Sequence, residues 1–125
     1  MIVKGKKALG ELGEQVSCDF LVSQGHRILE RNWWSGHLEI DIISEDRNGV
    51  HFVEVKSRTA PVETDPEEKV DALKQKKICA AALKYLASGR TPGDREVFFD
   101  IISIVFEGEA HTLRYFPEAW IPMYT

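Results

Sequence analysis

The chain has only two cysteines in 125 residues, Cys18 and Cys79. That is too few for a disulfide framework and for a zinc site built on thiolates, and both are read as ordinary reduced thiols. It has no apolar run approaching the roughly 18 residues a membrane helix needs. Its first residues, Met1-Ile2-Val3-Lys4-Gly5-Lys6-Lys7, lack the apolar segment of a signal peptide. The expected location is therefore cytoplasmic. It has no excess of basic residues: the net charge is −4, which argues against a protein that coats nucleic acid by bulk charge. A nucleic-acid enzyme stays compatible with that sum if several acids gather in one metal site. His26, His37, His51 and His111 show no His-x-x-x-His or other zinc spacing. No Gly-rich loop opens a helix after a strand, and no Ser or Cys has a nucleophile-elbow setting. Rossmann or P-loop nucleotide binding and acyl-type nucleophilic catalysis thus have no anchor.

What is present fits one compact domain spanning residues 1–125, with 43% hydrophobic and 29% charged residues. Lys4, Lys6 and Lys7 read as a solvated basic arm. Ala8 to Gln24 has Leu9, Leu12, Val16 and Phe20 at amphipathic spacing, with Gly25 as its stop. Gly10 and Gly13 are poor helix residues, and their spacing suggests close approach of another backbone. His26 to Trp34 reads as an edge strand, whose Trp33-Trp34 pair is assigned to packing in preference to stacking on a base. Leu38 to Glu45 and Val50 to Arg58 read as strands joined through Asp46-Arg47-Asn48-Gly49, an Asn-Gly hairpin signal.

Asp65-Pro66-Glu67-Glu68 resembles a helix start with a capping box, for a helix reaching Ala87. Its apolar stripe comprises Val70, Leu73, Ile78, Ala81, Ala82, Tyr85 and Leu86; Lys74 lies on the stripe, with Lys77 and Lys84 beside it. Arg95 to Phe106 is apolar on both alternating faces, so it should be covered on both sides. A last strand follows from His111 to Phe116, and Trp120 is expected to pack on the body. The fold class is therefore α/β: a mixed central sheet flanked by helices.

The two strands of the hairpin carry misplaced charge. Strand side chains alternate, so Glu39 and Asp41 share a face, as do Glu54 and Lys56. A four-residue loop would set Asp41 opposite Glu54; a two-residue loop would set it opposite Lys56 and diagonal to Glu54. Either register puts the charges on one face. Two carboxylates that close repel unless a hard cation joins them, and Mg²⁺ commonly takes one or two carboxylates while keeping other positions for water or phosphate. Such a cation activates water and polarises a phosphoryl oxygen, and Lys56 is placed to orient that water. The bland alternative is an ion-pair ladder on a solvated sheet face; Ile43 and Phe52 on the same face make full solvation awkward.

Asp41 followed by Glu54-Val55-Lys56 on a hairpin, after helix-borne Glu14, resembles the PD-(D/E)XK nuclease superfamily, and within it the YraN-like family of bacterial proteins. The similarity runs through Gly10-x-x-Gly13-Glu14, Ile28-Leu29-x-Arg31-Asn32, Glu39-Ile40-Asp41, Phe52-Val53-Glu54-Val55-Lys56-x-Arg58, Val70-x-x-x-Lys74 and Phe99-Asp100-Ile101. It departs in having Ile40, not proline, before Asp41. The resemblance implies a restriction-endonuclease-like αβββαβ core and Asp41 and Glu54 as ligands of Mg²⁺ or Mn²⁺. It further implies Lys56 as catalytic lysine, Glu14 as helix-borne acid, and Lys74, Lys77 and Arg58 as nucleic-acid contacts. The expected activity is Mg²⁺-dependent endonucleolytic hydrolysis of structured or branched DNA. The alternatives are a non-catalytic nucleic-acid-binding module that keeps the nuclease fold, and a protein-interaction domain using Trp33, Trp34 and Trp120. By analogy with Holliday junction resolvases a homodimer is expected.

Overall fold

The structure, a computed structural model, describes residues 5–62 and 70–122. Its element order is α1 (Lys6–Ser23), β1 (Arg27–Ser35), β2 (Leu38–Glu45), β3 (Val50–Thr59), α2 (Ala72–Ala87), β4 (Val97–Glu107) and β5 (Ala110–Phe116). The five strands form one sheet in chain order, β1-β2-β3-β4-β5. The β3–β4 pair is parallel and the other three are antiparallel. A parallel neighbour requires a crossover, and α2 lies within that connection. The first six elements follow the expected order αβββαβ, with a mixed sheet flanked by helices.

Each face of the sheet is apolar and each is covered by a helix, which is why β4 reads as hydrophobic on both sides. On one face Ile43, Phe52, Phe99 and Ile101 pack with Ile78, Ala81, Ala82 and Tyr85 of α2. On the other, Ile42, Val53, Ile102 and Ile104 pack with Cys18 and Leu21 of α1. Trp33 stands edge-on to Tyr85 at 5.3 Å between ring centroids, and Trp120 lies 4.4 Å from Phe99. Both serve packing, whereas Trp34 is exposed. Cys18 and Cys79 are free thiols.

Three details differ from the sequence reading. The helix ending at Ala87 begins at Ala72, with Asp71 as its N-cap: Asp71 Oδ1 accepts from Lys74 N at 2.8 Å, and Val70 and Asp71 are not helical. Asp65-Pro66-Glu67-Glu68 and Lys4 lie outside the described residues. Because Leu73 then falls in the first turn, it is 65% exposed and not part of the buried stripe. Finally, the close approach at Gly13 is to a side chain: a Cβ there would sit 1.8 Å from Ser57 Oγ on β3, while one at Gly10 meets nothing within 4 Å.

Candidate functional site

The β2–β3 register runs Glu45↔Val50, Ser44↔His51, Ile43↔Phe52 and Ile42↔Val53, so residues 46–49 form a four-residue loop. One further step would set Asp41 opposite Glu54. The ladder is instead closed by a side chain: Asp41 Oδ2 accepts a hydrogen bond from Val55 N at 2.9 Å. Asp41 lines a cavity of about 370 Å³ with Lys6, Leu9, Gly10 and Glu14 of α1 and Val55 and Ser57 of β3. The absence of a side chain at Gly10 keeps that wall open.

The expectation that all four charges share a face fails here. Ile40 packs in the α2 layer, whereas both Asp41 and Ile42 reach the α1 side, and Ile43 returns to the α2 layer. Strict alternation is therefore broken between Asp41 and Ile42. Strand β1 shows the matching irregularity. Arg31 reaches Gln15 of α1, the adjacent Asn32 hydrogen-bonds Glu14, and Trp33 turns to α2. Asn32 falls between the pairs Arg31↔Ile42 and Trp33↔Ile40, opposite Asp41, and has φ of +50°. Left-handed backbone at a non-glycine residue is tolerated best by Asn and Asp. The twist swings Asp41 toward α1 while Glu54 stays on the α2 side, where its Oε1 lies 3.4 Å from Lys74 Nζ. Lys56, two residues along β3 from Glu54, is half-buried, as is Arg58; Lys77 is exposed on α2.

The acids still act on one another. Asp41 is pushed up to about 8, first by burial, then by the negative charge of Glu54, with smaller contributions from Glu14 and Glu39; the Val55 N–H works in the opposite direction. Glu14 is raised too, chiefly by burial, against the Asn32 hydrogen bond, with Glu39 pushing it further up. Ser57 Oγ is buried in the same wall and has no hydrogen-bond partner among the described residues. A half-buried carboxyl within the field of three other acids, beside an unpartnered hydroxyl, is a place where a cation would relieve a conflict the described residues do not resolve themselves. An all-oxygen donor set suits a hard ion such as Mg²⁺ or Mn²⁺.

The sequence reading treated the histidines as scattered, and this is corrected at the turn end of the same hairpin. His26, Asp46 and His51 come together with one possible ligand atom from each lying within 4.8 Å of the others, so the group could hold a metal ion. His51 Nε2 is 3.0 Å from Asp46 Oδ1, and its Nδ1 is 2.7 Å from Asp100 Oδ2. His26 Nε2 is 3.5 Å from Asp46 Oδ2, and its Nδ1 is 2.9 Å from Ser44 Oγ. Asp100 also accepts from Tyr115 Oη at 2.5 Å and from Glu118 N at 3.0 Å. Burial alone would lower His51, but Asp100 and Asp46 outweigh it and hold the imidazole above its ordinary value. His26 is lowered, by burial first and His51 second. No spacing rule could find this group, because the residues meet only through strand register and the α1–β1 corner.

Comparison with known proteins matches residues 13–104 to the family described as "Uncharacterised protein family UPF0102". A UPF0102 protein of Trichlorobacter lovleyi is 39% identical over 122 residues, covering 96% of this chain and 95% of that one. One from Geobacter metallireducens is 39% identical, covering 91% and 93%. One from Myxococcus xanthus is 36% identical, covering 92% and 90%. Among solved structures, Pyrococcus furiosus SfsA in complex with Ca²⁺ is similar at 18% identity and a TM-score of 0.37, covering 89% of this chain and 61% of that one. That likeness is too distant to transfer chemistry. The family match spans most of α1, all of β1 to β3 and α2, and most of β4, and so takes in Glu14, Asp41, Glu54 and Lys56. By this match and the full-length relatives, the chain belongs to the UPF0102 family.

Proposed function

We propose that the protein is a divalent-metal-dependent endonuclease that hydrolyses phosphodiester bonds in structured or branched DNA. The observation that carries this reading is the Asp41 carboxyl, half-buried at the wall of a cavity and raised to about 8 by its removal from water and by Glu54, Glu14 and Glu39. A carboxyl in that setting is protonated at neutral pH unless a cation is present, and ionises when one binds. Mg²⁺ or Mn²⁺ held by Asp41 and Glu54 would lower the pKa of a bound water and polarise the scissile phosphate.

The chain's own groups account for the remainder. Glu14, hydrogen-bonded to Asn32, faces the cavity from α1 as a further acid. Lys56 projects from the strand that carries Glu54 and is suited to orient a water or to balance phosphate charge. Lys74 neutralises Glu54 across 3.4 Å in the free protein; a phosphate entering the site would compete for that ammonium. Lys77 and Arg58 extend the basic surface for nucleic acid. A homodimer and a cytoplasmic location belong to the same proposal. Among the described residues, no helix is long and apolar enough to cross a membrane.

A second reading is favoured by one observation. Asp41 and Glu54 leave β2 and β3 toward opposite layers, and Glu54 already has a cation in Lys74. A non-catalytic nucleic-acid-binding module keeping this fold would tolerate that arrangement. The experiment that separates the readings uses a panel of junction, flap and duplex DNA with Mg²⁺, Mn²⁺ or chelator. The endonuclease reading expects cation-dependent cleavage of at least one branched substrate, lost in Asp41→Asn with the circular dichroism spectrum unchanged. Binding that needs no cation, survives Asp41→Asn and never leads to cleavage would overturn it.

A further inference from the structure

We infer that the turn end of the β2–β3 hairpin is a second metal site, a structural one for a borderline ion of the Zn²⁺ class, with His26 Nε2, His51 Nε2 and the Asp46 carboxylate as ligands. It is separate from the acid cavity: Asp46 lies five residues beyond Asp41 along β2 and its turn, roughly 17 Å at about 3.3 Å per strand residue.

Three features of the geometry point to an ion. First, the ligand atoms have the right spacing. Zinc–nitrogen and zinc–oxygen bonds of about 2.0–2.1 Å at tetrahedral angles place neighbouring ligands about 3.3–3.4 Å apart. His51 Nε2 is 3.0 Å from Asp46 Oδ1 and His26 Nε2 is 3.5 Å from Asp46 Oδ2, so each imidazole nitrogen stands near that distance from its own oxygen of the one carboxylate, and one ligand atom from each residue lies within 4.8 Å of the others. Second, each ring is already oriented by its other nitrogen. His51 Nδ1 is held by the Asp100 carboxylate at 2.7 Å and His26 Nδ1 by the Ser44 hydroxyl at 2.9 Å. Metal-ligating histidines are characteristically fixed this way, by a carboxylate or other polar partner behind the ring. Asp100 is in turn held by Tyr115 Oη and Glu118 N, so the partner behind His51 is itself fixed. Third, the pocket is closed on the histidine side and open on one edge. The His26 and His51 side chains are 4% and 7% exposed, whereas that of Asp46 is 17% exposed. Three protein ligands with one edge toward solvent leave a position for water.

The donor set selects the class of ion. Two neutral imidazoles and one carboxylate suit Zn²⁺ and its first-row neighbours, not Mg²⁺, which prefers oxygen alone. The role is structural because the ligands join three pieces of chain: the corner after α1, the hairpin turn and β3. The turn has other tethers: Asp46 Oδ1 accepts from Asn48 N and Gly49 N, and Arg95 Nη2 donates to Asp46 O at 2.5 Å. An ion there would fix the register on which the placement of Asp41 depends.

The test uses the full chain stripped with chelator and titrated with Zn²⁺ against a chromophoric chelator, alongside thermal melts. One ion per chain is expected, with a melting temperature that rises on zinc addition. Asp46→Asn, which keeps an oxygen for the Asn48 and Gly49 amides, should weaken zinc at least 100-fold and abolish the thermal shift. Asp41→Asn should leave zinc affinity unchanged. X-ray absorption at the zinc edge of the unsubstituted protein provides a check independent of any variant, expecting two imidazoles and no sulfur. Zinc binding no tighter than in Asp46→Asn, binding lost in Asp41→Asn, or a sulfur ligand would each overturn the assignment.

Discussion

The two ends of the β2–β3 hairpin hold the same kinds of residue in opposite electrostatic states. At the open end, Asp41 lies in the field of Glu54, Glu14 and Glu39, with the Val55 amide stabilising its ionised form. At the turn end, every carboxylate oxygen of Asp46 and Asp100 has a nitrogen or hydroxyl within reach. Asp46 accordingly moves the other way from Asp41. Burial is the largest single influence and pushes it up, but the His51 hydrogen bond, the Asn48 and Gly49 amides and the His51 charge together reverse that, and its pKa is lowered. Burial alone therefore does not mark a reactive carboxyl in this protein. What separates the ends is whether the chain supplies compensating partners, and the end it leaves uncompensated is the one where an external cation or phosphate has most to offer.

Removing one group from each end should break that contrast most visibly. His51→Ala would take the imidazole from the Asp100 carboxylate, whose side chain has no solvent exposure, and leave it Tyr115 Oη and Glu118 N. Losing one partner of a buried charged pair costs about 3–5 kcal/mol, so urea unfolding should show a loss in that range. Asp41→Asn, measured in chelator by the same method, should show no such loss, because without a cation the carboxyl is already protonated and the amide replaces one neutral group by another while keeping an oxygen for the Val55 N–H. If both variants lost stability equally, the two ends would not differ in the way described.

A smaller effect tests the wall between α1 and β3. Gly13→Ala places a Cβ 1.8 Å from Ser57 Oγ and 3.0 Å from Ser57 Cβ. Overpacking of this kind costs about 1–3 kcal/mol, partly offset by the roughly 1 kcal/mol of helix propensity gained over glycine. A net loss on denaturant unfolding, restored in Gly13→Ala/Ser57→Gly, would confirm that the helix is seated on that serine. Next comes the left-handed residue opposite Asp41. Asn32→Ala should cost about 1–2 kcal/mol for its backbone conformation. Asn32→Gly should recover most of this while still losing the hydrogen bond to Glu14, so cleavage and stability would separate in the glycine variant.

The subtlest expectation concerns pH. Asp41 has its folded pKa raised to about 8, against the ordinary aspartate value of 3.8. Between those values the native state holds a proton that the unfolded state has released. Stability from this group is therefore greatest at acid pH and declines as pH rises from about 4 to 8. In chelator, Asp41→Asn should flatten that part of the stability profile measured by thermal melts, and a saturating divalent cation should flatten it in the unsubstituted protein.

The fold was largely legible because its signals were local. Strand β2 runs from Leu38 to Glu45 as its apolar pattern indicated, and the Asp46–Gly49 loop delivers one of the two registers considered. Two of the misreadings share a cause: each applied a regular period across an irregular place. Alternation was extended through Asp41, where the twist opposite Asn32 breaks it. Helical period was extended back through Val70 to a cap outside the described residues, although Asp71 caps the helix observed. The His26–Asp46–His51 group had no period to follow. It is assembled by register and by a chain corner, and a list of spacings carries neither.

The parallel pairing of β3 with β4 also has a consequence in the time domain. Val50 is matched with Val97, and the Val50 amide donates to Glu96 O at 2.8 Å, so one flank of β3 waits for a stretch of chain made more than forty residues later. During synthesis at about 5–20 residues per second, the strand bearing Glu54 and Lys56 has one unpaired edge for some seconds. An exposed edge of that kind is a template for pairing with another chain. Glu54, Lys56 and Arg58 spaced along it are charges of the sort that discourage such pairing, so the residues assigned to chemistry in the finished molecule would also protect the nascent one.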